Sequence, residues 1–136
     1  MRARFAAAFS LALAGALTIA CGGIVSPSQN TVETFSGTIP PGGAHPFSAS
    51  KTGEIQVKLT ALAPVSSTFV GLVWAQAGSD GGCTSSNFGG VIFQTVAQLN
   101  VQAISTQILS GRYCLIVSEY IALTAPETYT VTVSHP

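Results

Sequence analysis

The sequence predicts an all-β chain: an antiparallel β-sandwich of about seven or eight strands that follows an N-terminal signal helix. Three observations predict it. Apolar and polar residues alternate with period two in the clearest segments, Glu54 to Leu62 and Thr128 to Ser134. Glycine, proline and asparagine break the chain at short intervals, which bounds runs of strand length. Past residue 31, only one segment carries any stripe of helical spacing, and its composition favours strands.

In chain order, Val32 to Ile39 places Phe35 and Ile39 on one side and stops at Pro40-Pro41-Gly42-Gly43. Pro46 to Ser50 comes next. The turn-like Lys51-Thr52-Gly53 then separates it from Glu54 to Leu62, so the two are expected to pair as a hairpin. In Glu54 to Leu62, Ile55, Val57, Leu59 and Ala61 share one face, while Glu54, Gln56, Lys58 and Thr60 share the other. That is the pattern of a half-buried strand. Thr68 to Ala77 is apolar on both faces, which predicts a central strand covered on both sides. Val91 to Leu109 has a helical stripe through Phe93, Val96, Ala97, Val101, Ile104 and Ile108. Its valine, isoleucine and threonine content, with a break near Gln98 to Asn100, instead favours two strands. Arg112 to Glu119 alternates Tyr113, Leu115 and Val117 against Cys114 and Ile116. Thr128 to Ser134 closes the domain, with Tyr129, Val131 and Val133 set against threonines.

The N-terminus has a different purpose. Arg2 and Arg4 precede an apolar run from Phe5 to Ala20 that is rich in Ala and Leu. A basic start followed by a short apolar stretch is the layout of a secretory signal, and it is short for a membrane-spanning helix. The run ends in Leu17-Thr18-Ile19-Ala20-Cys21. This resembles the lipobox of bacterial lipoproteins, although Thr18 stands where that family places leucine. The resemblance implies a diacylglycerol on the Cys21 thiol, with cleavage leaving Cys21 as the first residue. The alternative is ordinary secretion after Ala14-Gly15-Ala16, with Cys21 left as a spare thiol. The expected organisation is thus a signal peptide at 1–20, a flexible tether at 21–31 and a β-sandwich at 32–136. Gly22 lacks the aspartate that retains lipoproteins at an inner membrane, so the resemblance implies export to the outer membrane or cell surface of a Gram-negative cell.

Of the three cysteines, assigning Cys21 to lipid leaves Cys83 and Cys114 as an even pair in an oxidising compartment, and a structural disulfide is expected. Neither lies in a CxxC or Cys/His cluster, so zinc and thioredoxin-like chemistry lack their spacing. Beyond position 20, three cations (Lys51, Lys58, Arg112) stand against five anions (Glu33, Glu54, Asp80, Glu119, Glu127), a net charge of −2. Without a basic patch to neutralise phosphates, nucleic acid is excluded as a partner. A protein or glycan partner of neutral character fits better, beside the membrane reached through the lipid.

The succession FSGTIPPGGAHPFSASKTGEIQVKLTAL, VGLVWAQ, a Cys-bearing loop, LSGRYCLIVSEY and ETYTVTVS resembles the bacterial pre-peptidase C-terminal domain. The steps that carry the resemblance are Gly111-Arg112-Tyr113 and Tyr129-Thr130-Val131-Thr132-Val133. It covers about residues 32 to 134 and implies a jelly-roll-like sandwich serving as a carbohydrate- or protease-binding accessory module.

Enzymatic readings find little support in the residues. The two histidines are His45, expected in a solvated GGAHPF turn, and His135; no GxSxG elbow is present for a small hydrolase. The five acids show no pairing and are expected to be solvated. Asp80 alone, in GSDGGCTSSNFGG, supplies too few carboxylate ligands for calcium. Trp74 is expected in the core, while Phe88 and Tyr120 fall in loops. The function expected is therefore a lipid-anchored, exported, non-enzymatic module for partner binding or envelope structure. It needs no cofactor or metal.

Overall fold

The structure, a computed structural model, describes residues 27–84 and 89–136. The signal peptide, Cys21 and Phe88 lie outside the described residues. Among the described residues eight strands form: β1 (Thr31–Ile39), β2 (Gly43–Ala49), β3 (Gly53–Ala63), β4 (Val70–Gln76), β5 (Gly90–Ala97), β6 (Gln102–Ile108), β7 (Gly111–Glu119) and β8 (Glu127–His135). They assemble into two four-stranded sheets, ordered β1-β8-β3-β6 and β2-β7-β4-β5, with all six strand pairings antiparallel. Each sheet takes strands from both halves of the chain, which is the winding of an eight-stranded jelly roll.

This winding corrects the expected hairpin. β2 pairs with β7 and β3 pairs with β6 and β8, so the turn at Lys51-Thr52 crosses between sheets instead of joining neighbours. Alternation tells which face of a strand is buried, but it is silent on which sheet the strand joins. The ambiguous segment does resolve into two strands. They are parted at Asn100, whose φ of 65° is the left-handed conformation that asparagine tolerates.

The core lies between the sheets. The first contributes Ile39, Ile55, Val57, Leu59, Tyr129, Val131 and Val133, and the second Phe47, Leu72, Trp74, Tyr113, Leu115 and Val117. The period-two positions identified in Glu54 to Leu62 and Thr128 to Ser134 supply most of the first set. Trp74 packs 5.6 Å from the Tyr113 ring, within the core as expected. On the solvent side of the first sheet, Thr34 faces Thr132, Ser36 faces Thr130 and Thr38 faces Thr128. These hydroxyls replace the charges a sequence with only 7% charged residues lacks.

The chain enters at one pole. The last residues of the expected tether are already held there: Pro27–Gln29 forms a 3₁₀ turn, and the Asn30 amide donates to the Glu54 carbonyl at 2.8 Å. The C-terminus closes the same pole, where the Ser50 amide donates to the Pro136 carbonyl. At the opposite pole, Gly42 turns β1 into β2 with a φ of 94°, and a Cβ there would collide with the Val117 carbonyl. Only glycine satisfies both conditions.

A candidate binding surface on the second sheet

The residues that could carry chemistry are dispersed. His45 is not in a solvated turn: it belongs to β2 and is half-buried, stacked on Phe35 at 4.8 Å, with its Nε2 2.8 Å from the Tyr129 hydroxyl. Desolvation lowers the His45 pKa and raises that of Tyr129, so both groups favour their neutral forms. Phe35 and Tyr129 therefore stand where a hydrolase would need a serine and a carboxylate. His135 is buried, 2.7 Å from Glu33 and against the Phe47 ring, and it ties the end of β8 to β1.

The neutral His45 leads to a pH prediction. The unfolded chain takes up its proton near the ordinary value of 6.5, while the folded chain resists protonation until lower pH. This contribution is complete above 6.5 and is lost as pH falls through that range. Urea unfolding of wild type and His45→Gln at a series of pH values should show a smaller acid loss in the variant. Parallel curves would contradict the assignment.

The five acids are engaged separately. Glu33 meets His135, Glu54 accepts from Gln56 and Ser105, Asp80 accepts from the Gly82 amide, Glu119 from the Leu123 amide, and Glu127 from the Thr68 hydroxyl. Two depart from the expected solvation: Glu33 is paired with a buried histidine, and Glu127 is 4% exposed. Among the described residues no three of His, Cys, Asp and Glu gather where a metal could sit. The hydrogen bonds of Glu54 hold its carboxyl below the usual carboxylate range.

Cys83 and Cys114 are joined in a disulfide, with Cα atoms 5.6 Å apart. Cys114 points outward from β7 and is fully buried. The bridge therefore pins the loop after β4 over one end of the second sheet's outer face.

The rest of that face is open. Gly71, Val73, Gln94, Val96, Ser118 and Tyr120 line a groove of about 530 Å³ across β4, β5 and β7. Gly71 and Val73 are only half-buried, so β4 is central in its sheet but not covered on both sides as expected. The missing side chain at Gly71 opens the floor, where a Cβ would press on the Ser118 hydroxyl. Tyr120, 59% exposed, lies at one end.

The groove runs out to β5, the edge strand. There Val91, Ile92 and Phe93 are 62%, 44% and 45% exposed in succession. A run of three exposed apolar residues is anomalous on a solvated surface unless something covers it. A bulge opposite Trp74 and Ala75 adds one residue to β5 at this point. No charged residue occurs from Gly81 to Gly111, so β5, β6 and their connection form a neutral side of the sandwich. Sequence reasoning singled out none of this surface except Tyr120. The available signal was the unbroken Val91-Ile92-Phe93 inside an uncharged stretch.

Comparison with family models and with curated proteins finds no match. Among solved structures, the chain is similar to the pre-peptidase C-terminal domain of a collagenase from Bacillus anthracis. Identity is 18% over 76% of this chain and 88% of that one, with a TM-score of 0.41. A structure of infectious bursal disease virus, Gt strain, aligns at 14% identity and a TM-score of 0.28 over 79% of this chain. The alignment spans about a third (32%) of that viral chain.

Proposed function

We propose that the protein is an exported, lipid-anchored, non-enzymatic β-sandwich module, held to a membrane through Cys21, that binds a neutral partner along the groove and free edge of its second sheet. The observation that carries the binding role is the exposed Val91-Ile92-Phe93 run on an edge strand without a charge. An edge strand offers unpaired backbone groups to an added strand, and apolar side chains beside it supply the burial. The anchoring role is supported by the basic start, the apolar run and the lipobox-like Leu17-Thr18-Ile19-Ala20-Cys21. The Cys83–Cys114 bridge accords with an oxidising compartment outside the cytoplasm. In a cell with two membranes the proposed location is the outer membrane or the cell surface.

Membrane fractionation tests this reading. Wild type is expected in the detergent-soluble membrane fraction, and Cys21→Ala is expected to leave it. Wild type free of membranes would overturn the proposal.

A second reading, a carbohydrate- or protease-binding accessory module, is favoured by the exposed Tyr120 ring beside Gln94 and Ser118. An aromatic face flanked by neutral hydrogen-bonding groups suits a sugar. Glycan-array binding or co-purification with a peptidase would separate it from the first.

A further inference from the structure

We infer that the partner of the β5 edge is a second copy of this chain, with the two β5 strands paired antiparallel about a two-fold axis to continue the second sheet from one molecule into the next. The inference rests on the reading of β5 as a binding edge and names its occupant. The sandwich has four edge strands, and they are not equivalent. β2 carries Pro46, which has no amide hydrogen to offer; β1 carries Glu33; and the exposed side chains of β6 are Gln102, Ser105, Thr106 and Gln107. Proline, charge and bulges are the usual devices that keep a sheet edge from pairing, and the one bulge of β5, at Ile92, leaves Phe93 to Ala97 in regular register. β5 lacks both proline and charge, and presents Val91, Ile92 and Phe93.

The charge pattern suits a second copy. Across a two-fold axis each side chain near the axis meets its own image, so any charge there faces a like charge. The chain is free of charge from Gly81 to Gly111, which covers β5, β6 and the turn between them. No antiparallel register of β5 against itself therefore brings like charges together. The apolar run would be buried against the same run or its near neighbours in the other copy. This covers the side chains left exposed in the single chain.

The test is a cysteine scan of β5 in the full-length chain expressed in cells. Cys83 and Cys114 are already joined, so an introduced thiol has no free partner among the described residues of its own molecule. Ile92→Cys, Gln94→Cys and Val96→Cys are compared on non-reducing gels with Thr130→Cys, on the outer face of the other sheet. The expected result is an adduct of twice the chain mass that is strongest at one β5 position and falls away on either side, with none from position 130. Adding Gln94→Lys to the strongest position (Val96→Lys where that position is 94) should reduce the adduct about fivefold through like-charge contact, whereas threonine at the same site should retain it. Unchanged thermal transitions in both variants show that folding is intact. An adduct of any other mass overturns the second-copy inference and leaves β5 as an edge that binds another protein. No adduct along β5 overturns the second-copy inference alone; glycan-array binding and co-purification still decide the binding edge, and membrane fractionation the anchor.

Discussion

Leu115→Ala is expected to lower the free energy of unfolding by about 2–5 kcal/mol, among the largest effects open to a single substitution in this chain. Leu115 is fully buried on β7, a central strand of the second sheet, and its neighbours in register are His45 on β2 and Trp74 on β4. The truncation removes its apolar contacts. It also leaves a space that the surrounding strands, fixed by backbone ladders on both sides, cannot close. Leu109, 65% exposed beyond the end of β6, provides the contrast, and Leu109→Ala should change stability by no more than about 0.5 kcal/mol. Urea unfolding with an unchanged denaturant slope checks both. A loss below about 1 kcal/mol at Leu115 would mean that the sheets do not pack through this residue.

The second large effect belongs to the disulfide. Cys83→Ala with Cys114→Ala should lower stability by about 3–4 kcal/mol, the loop-closure value for residues 31 apart in sequence. Among its described residues, the loop after β4 is also tied to β7 by the Arg112 guanidinium, which donates to the Ser79 carbonyl. The Ala77 amide donates to the Arg112 carbonyl and the Gly89 amide to the Gln76 carbonyl, both at the root of the loop. Reduction also releases the cover over one end of the second sheet's outer face. Unfolding midpoints with and without reductant, in wild type and in the double variant, should show that reductant shifts only wild type. Equal midpoints for oxidised wild type and the double variant would contradict the assignment.

The fold was legible in the sequence wherever one face of a strand meets the core and the other meets water. Ile55, Val57 and Leu59, like Tyr129, Val131 and Val133, are all buried at the alternation the sequence displays. Cysteine parity similarly identified the pair that is joined. What stayed hidden depends on contacts between distant segments. His135 and Glu33 are 102 residues apart, and the partner of His45 is 84 residues away, so neither environment has a local signature. The wrong hairpin has the same origin, because jelly-roll winding sends consecutive strands to opposite sheets. The candidate surface was hidden for a related reason. Val91, Ile92 and Phe93 look like core residues until the sheet order places β5 at an edge.

The measurement that bears most directly on an anchored, bridged module is the intact mass of the protein extracted from membranes, taken with and without reduction and alkylation. The expected species is a chain starting at Cys21 that carries acyl mass, with two thiols, at positions 83 and 114, becoming alkylatable only after reduction. A chain without acyl mass, or one with a thiol at 83 or 114 reactive before reduction, would contradict it.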